Sequence, residues 1–229
     1  MSFYIGSNHI DNDKLIKIIN MNTEELNFIS HNITQYSNND IIRIKTFAFH
    51  EQKSLTSINL PNCSYIGSHA FENCFSLASI NLPNCSYISY GAFNNCSALT
   101  SINLPNCSYI GGNAFVHCTA LTSINLPNCS YISDGAFTEC YSLTSISLPN
   151  CSYIGNYAFM RCYNLLSVYL LGSSIPSLPS TSAFLSTPIS TYTTSTGGRY
   201  GSIYVPTSLY NNYLTATNWS VYSARIVSV

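Results

Sequence analysis

The sequence predicts a repeat solenoid: a right-handed coil with short parallel strands on one face and irregular or 3-10 turns on the other. Three observations predict it. The phrase LTSINLPNCSYI occurs three times, at Leu55–Ile66, Leu99–Ile110 and Leu121–Ile132, and with one letter changed from Leu77 and from Leu143. The copies start 22 residues apart, and a fixed period of roughly 20 to 30 residues is the mark of stacked coils. Ten cysteines run from Cys63 to Cys162 at a constant interval of 11, so each unit carries two.

Within the first full unit the apolar positions are Leu55, Ile58, Leu60, Cys63, Ile66, Ala70, Phe71 and Cys74. Ile58 and Leu60 are two apart, as a pleated strand requires if both point inward. Cys63 takes the inward position where the chain leaves the strand. Pro61 has no N–H to give, so it suits the strand's end rather than a middle rung. A single unit cannot stand alone. Its large apolar side chains are worth roughly 1.5–3 kcal/mol each when buried, against about 1.5 kcal/mol per residue for ordering the chain. Stacking offsets the deficit, because it covers both sides of each unit and pairs its strand.

The cysteines form two columns of five: Cys63, Cys85, Cys107, Cys129, Cys151, and Cys74, Cys96, Cys118, Cys140, Cys162. No pair has the close spacing of a zinc site. Disulfides along a column of five would leave one thiol over. The reading preferred is ten small buried residues, a common role of free Cys. Disulfides are the alternative if the protein is extracellular.

The segment Leu55-x-x-Ile58-x-Leu60-x-x-Cys63 fits the leucine-rich repeat pattern. The whole unit, SINLPNCSYIGSHAFENCFSL, resembles the BspA-like (treponemal-type) leucine-rich repeat. The match is carried by Ile66-Gly67, Ala70-Phe71 and Cys74, and Cys63 departs from it where the family usually has Val. A degenerate earlier unit keeps Ile44, Ala48 and Phe49 in register and puts Gln52 in place of the later Cys, which suits a polar first coil. The resemblance covers about residues 33–170, with Leu165–Leu170 as the last strand of the array. Residues 1–32 read as an N-terminal cap or an attachment segment, with a short strand at FYIG. Residues 171–229 read as a Ser/Thr-rich connection and a C-terminal cap. In the connection, LGSSIPSLPSTSAF is a stretched echo of the repeat. The segment from Ile203, IYVPTSLYNNYLTATNWSVYSARIVSV, resembles caps that follow such arrays in proteins of gut Firmicutes and their phages. Thr207 or Ser208 is placed to cap a helix carrying Leu209, Tyr213 and Leu214. Trp219, the single tryptophan, is expected to pack under the last coil.

Composition removes several classes of function. The 229 residues are 46% hydrophobic but 7% charged, with a net charge of −1. That leaves no electrostatic footprint for nucleic acid or an anionic membrane. From Ser54 onward the bases are Arg161, Arg199 and Arg225, and the acids are Glu72, Asp134 and Glu139. No apolar run is long enough to span a bilayer. The start, MSFYIGSNHIDNDKLIKII, is not a secretory signal, since it lacks a basic n-region and its apolar residues are interrupted.

There is no G-x-S-x-G, Walker A, H-E-x-x-H or G-x-G-x-x-G. His69 and His117 do not share a column, and the acids are expected to face no titratable partner. The reading is therefore a protein without catalytic residues, cofactor or metal. The Asn-x-Ser triplets at Asn62, Asn84, Asn106, Asn128 and Asn150 belong to the repeated phrase and bear on glycosylation only in a eukaryotic secretory host.

Surface is what remains. The strand face offers columns of small polar residues, Ser57, Ser79, Ser101, Ser123, Ser145 and Asn59, Asn81, Asn103, Asn125, Ser147. A second column, Tyr65, Tyr87, Tyr109, Tyr131 and Tyr153, stands where the family has small polar residues. Coil spacing of about 4.8 Å makes it an aromatic stripe, either stacked to hold the coils in register or exposed as a contact platform. The units differ most at His69, Tyr90, His117, Asp134 and Tyr157, on loops opposite the strands, which are secondary candidates.

The function expected is a non-enzymatic binding or adhesion module acting through an extended solenoid surface, for a protein or glycan on a cell surface. The alternative is a phage virion component, tail-associated or receptor-binding, with a homotrimer open to it. The location expected is extracellular, on the cell surface, or in a virion. A plain spacer is disfavoured, because six coils at about 4.8 Å span only ~30 Å.

Overall fold

A computed structural model describes residues 34–190 and 200–229, together with the backbone of Tyr4–Ile5 and Asn8–His9. Those two short strands pair antiparallel; the rest of the segment expected as an N-terminal cap lies outside the described residues.

The chain winds as a parallel-strand solenoid, each strand paired with the one 22 residues along. One face carries a five-stranded sheet: Gln35–Ser37, Ser57–Asn59, Ser79–Asn81, Ser101–Asn103 and Ser123–Asn125. It is followed by Ser145–Ser147 and Ser167–Tyr169. Ile58, Ile80, Ile102, Ile124 and Ile146 point inward and their neighbours outward, as the alternation predicts.

The turns are more regular than expected. A second parallel sheet of six two-residue strands runs beside the first: Arg43–Ile44, Tyr65–Ile66, Tyr87–Ile88, Tyr109–Ile110, Tyr131–Ile132 and Tyr153–Ile154. On the remaining side each coil makes a tight turn with two left-handed residues. One column is Phe47, His69, Gly91, Asn113, Gly135 and Tyr157; the other is Glu51, Asn73, Asn95, His117, Glu139 and Arg161, all with φ between 54° and 65°. Left-handed backbone costs a non-glycine residue about 1–2 kcal/mol. Here it turns alternate amides toward the next coil, so that His69, Phe71 and Asn73 N–H reach the carbonyls of Tyr90, Ala92 and Asn94 at 2.9, 2.7 and 2.9 Å. Beside Tyr65 the direction reverses, and Ser64 and Gly67 N–H donate to Ile42 and Ile44 in the preceding coil, both at 2.8 Å.

The core is the repeated phrase read inward. Every Leu, Ile, Ala-Phe and Cys named for the first unit is buried, and so are their counterparts. The phenylalanines from Phe49 to Phe184 stack in one column with ring centroids 4.9–5.4 Å apart. Gln52 does not sit in a polar first coil as expected. It is buried where the later units have Cys, and its Oε1 has no hydrogen-bond partner.

The strand ladder continues past Leu165–Leu170. Ser202–Val205 pairs parallel with Ser167–Tyr169, and Ile226–Ser228 pairs with Ser202–Val205. The stretched echo is real packing: Ala183 and Phe184 take the Ala-Phe positions, with Phe159 N–H bonded to Ala183. Trp219 is buried against Phe184, and its Nε1 donates to the Pro176 carbonyl at 2.7 Å. The helix Tyr210–Thr215 follows a 3-10 turn at Thr207–Leu209, but neither Thr207 nor Ser208 caps it with a side chain. Thr207 Oγ1 instead lies 2.9 Å from Ser228 Oγ and donates to the Val229 carbonyl, which ties the 3-10 turn to the last strand.

Candidate functional site

The tyrosine column is a continuous stack. Tyr65, Tyr87, Tyr109, Tyr131 and Tyr153 lie with ring planes within 16° of parallel and centroids 5.2, 4.4, 5.1 and 4.3 Å apart. Arg43, in the same column one coil earlier, sits over the first ring at 4.3 Å. Each ring is half-buried. Tyr87, Tyr109 and Tyr131 have a neighbouring ring on both faces. Burial, followed by the adjacent Tyr109 hydroxyl, raises the Tyr87 phenol above its usual value. Burial, followed by Tyr153, does the same to Tyr131.

The alternation in spacing has a sequence cause. Two residues after each Tyr stands Gly67, Ser89, Gly111, Ser133 or Gly155. A Cβ on Gly111 would fall 2.6 Å from the Ser89 backbone, and one on Gly155 2.7 Å from that of Ser133. The close ring pairs, Tyr87–Tyr109 and Tyr131–Tyr153, are those whose second coil carries the glycine. The missing Cβ lets that coil approach.

Two sets of candidates chosen separately meet in one groove. Tyr87, Tyr109, Tyr131 and Tyr153 line a cleft of ≈ 390 Å³ together with Tyr90, Asn113 and Asp134. Tyr90 is held by Asn113 Nδ2, which donates to its hydroxyl at 2.7 Å. Asp134 Oδ1 accepts the Asn156 backbone N–H at 2.8 Å. Tyr157, half-exposed in the next coil, is outside the residues that line the cleft.

The histidines belong to different clusters, and here the expectation that the acids face no titratable group is wrong. Glu72 Oε2 lies 2.9 Å from His69 Nδ1 and 3.3 Å from His50 Nε2. Glu139 lies 3.0 Å from His117 and 2.6 Å from Arg161, and it accepts the Tyr141 hydroxyl. That Tyr141 bond and then Arg161 and His117 lower the Glu139 carboxyl, against the opposing pull of burial. The signal was available in the sequence. His50 and Glu72 are 22 apart, and so are His117, Glu139 and Arg161. Coil stacking brings residues one period apart into contact on the turns as surely as on the strands. Among the described residues no group of three His, Cys, Asp or Glu is arranged to hold a metal ion, and no helix is long and apolar enough to cross a membrane.

The model of the BspA type leucine rich repeat region matches residues 22–128 and 86–199, in six copies. The chain belongs to this family. Among solved structures, the T. pallidum leucine rich repeat protein is similar at 28% identity and a TM-score of 0.61, over 66% of this chain and 75% of that one. A leucine rich cell surface protein of Faecalibacterium prausnitzii A2-165 is 16% identical with a TM-score of 0.46, over 86% and 79% of the two chains. A leucine-rich repeat protein of Bacteroides ovatus ATCC 8483 is 18% identical with a TM-score of 0.40, over 86% and 71%. No curated protein matches the chain significantly.

As a BspA-type repeat protein the chain presents extended surfaces rather than a closed pocket, and repeat arrays of this kind bind along such surfaces. The groove contains phenol hydroxyls, the hydroxyls of Ser89 and Ser133, an amide and one carboxylate. It holds no nucleophile hydrogen-bonded to a base, the pairing that acyl transfer needs.

Proposed function

We propose that this BspA-type protein is a non-enzymatic binding module that engages a protein on a cell surface through the tyrosine groove. The observation that carries the reading is the convergence of the stripe with Tyr90 and Asp134 in one cleft. The stripe comes from the invariant phrase and the other two from the variable loops, so the groove joins a common platform to features peculiar to single units. Tyrosine suits the task, since it gives large contact area with two torsions to fix. A glycan platform fits less well. Sugars stack on ring faces, and both faces of Tyr87, Tyr109 and Tyr131 are taken up by neighbouring rings.

The test replaces Tyr87, Tyr109 and Tyr131 together with Ser and measures adhesion of the purified protein to target cells, alongside its melting temperature. Lost adhesion with a melting temperature within a few degrees supports the groove. Adhesion that survives the triple substitution leaves the stripe as scaffold and moves the binding surface to the turn ridge at His69 and His117.

A further inference from the structure

Resting on that reading, we propose that the tyrosine groove takes a proline-rich segment of its protein partner, laid along the solenoid axis as a polyproline II helix. The groove is built coil by coil. Tyr87, Tyr109, Tyr131 and Tyr153 line it from one column, and Ser89 and Ser133 from the column two residues on. It therefore crosses the coils, and a ligand that fills it meets a new coil about every 4.8 Å. The steps are not equal. Tyr87–Tyr109 and Tyr131–Tyr153 are close pairs, at 4.4 and 4.3 Å, separated by the 5.1 Å between Tyr109 and Tyr131. One close step and one wide step, 4.4 and 5.1 Å, advance the stripe by about 9.5 Å from one pair to the next. Ser89 and Ser133 repeat with the same two-coil period, with Gly111 between them.

That repeat selects a backbone. A polyproline II helix turns once in three residues at about 3.1 Å each, so the same face returns after about 9.3 Å. It stays in step with the paired rings along the groove. A β-strand returns the same face after two residues, about 6.7 Å, and is out of phase at the second pair. An α-helix turns about every 5.4 Å, and two of its turns overshoot the repeat by about 1.3 Å.

The chemistry agrees with the period. Polyproline II has no internal hydrogen bonds, and proline has no N–H, so such a segment presents carbonyl oxygens alone. The groove meets them with donors, the phenol hydroxyls of the stripe and the hydroxyls of Ser89 and Ser133. Ser89 Oγ lies 2.8 Å from Ser68 Oγ, and by accepting that proton it keeps its own for the ligand. Tyr87, Tyr109 and Tyr131, with both faces covered, turn ring edges to the segment. Tyr90 stands across the groove, its hydroxyl held by Asn113. A segment already extended in solution loses little entropy on seating there. A linear β-1,4-linked glucan, which also repeats along its axis and carries acceptors, is the rival ligand.

Calorimetry on the intact protein tests this with decaproline, an alternating Ser–Thr decapeptide and cellohexaose. Decaproline is expected to bind about tenfold more tightly than the Ser–Thr peptide, with little change as salt rises, since no ion pair takes part. Tyr87→Phe, Tyr109→Phe and Tyr131→Phe together keep the stacked rings and remove three hydroxyls, and should weaken decaproline about tenfold. Should that variant misfold, the comparison of ligands on the native protein decides alone. No measurable binding of decaproline, equal binding of the two peptides, undiminished affinity in the phenylalanine variant, or tighter binding of cellohexaose would overturn the proposal. The wider groove reading is judged separately, by adhesion of the triple serine variant. Adhesion lost there, with decaproline unbound by the native protein, would keep the groove and discard the proline-rich ligand.

Discussion

Cys74 Sγ donates to the carbonyl oxygen of Phe49, 3.0 Å away in the coil before it. The contact recurs as Cys96–Phe71, Cys118–Phe93, Cys140–Phe115 and Cys162–Phe137, at 3.1–3.2 Å. The other column turns its thiols onto the carbonyls of Tyr65, Tyr87, Tyr109, Tyr131 and Tyr153. Each small apolar position thus gives one coil a weak donor for a carbonyl, which a Val in that place could not supply.

All ten thiols are free and buried. Burial pushes Cys63 and Cys151 up to about 11 and Cys74 and Cys107 up to about 12. Since the thiolate is the reactive form, the native protein should resist alkylation through pH 9. Titration without reductant should give little reaction in native protein and ten equivalents after denaturation. Fewer than eight after denaturation would mean that disulfides form between columns or chains.

Gly111→Ala places a methyl group on the Ser89 backbone and should force the two coils apart. The expected cost is about 1–3 kcal/mol, the range for overpacking, with the Tyr87–Tyr109 spacing opening toward the 5.1–5.2 Å of the serine-bearing coils. Urea denaturation measures the first and a crystal structure of the variant the second. Gly112→Ala, one residue on, meets the Tyr90 ring at 3.2 Å rather than backbone and should cost clearly less. Equal losses at the two positions would remove the steric account of the alternating stack.

The solenoid itself was legible because period and apolar pattern agree in every unit. The groove was half legible. The invariant phrase exposed the Tyr column, and the differences between units exposed Tyr90 and Asp134. That they adjoin required knowing that the residue three after each Tyr lies beside the stripe, which only the second sheet shows. The Glu72 and Glu139 clusters are legible only between residues 22 apart, since His50 meets Glu72 and His117 meets Glu139 across neighbouring coils. Gln52 is polar in a terminal coil, as a capping coil would be, but its position in the repeat is an interior one and it is buried there.

Glu139 makes stability depend on acid. Its folded carboxyl is lowered by Tyr141, Arg161 and His117, so the stability it supplies is present above the unfolded carboxylate range. It is lost as pH falls through the lower folded value. Glu139→Gln should cost up to about 1 kcal/mol at neutral pH, and this deficit should be smaller at about pH 3, below the normal carboxylate range. Urea midpoints at the two pH values read it. A deficit equally large at low pH would show that the residue acts through packing.

Trp219 holds the C-terminal end of the array. It is buried against Phe184 and Tyr213, and its Nε1 bonds the Pro176 carbonyl. Trp219→Ala should therefore cost about 3–5 kcal/mol at that end, as for other buried large-to-small changes. In a stacked array the loss is felt first by the nearest coils, since each contacts only its neighbours. Ser167–Tyr169 and Ser202–Val205 should lose amide protection, while Ser79–Asn81 and Ser101–Asn103 should keep most of theirs. Hydrogen exchange resolved by peptide makes the comparison. Uniform loss of protection from Ser57 to Tyr204 would mean that the coils open as one cooperative unit. Unchanged protection at Ser202–Val205 would mean that the last rungs are held by their own strand pairing and that Trp219 only fills a space beneath them.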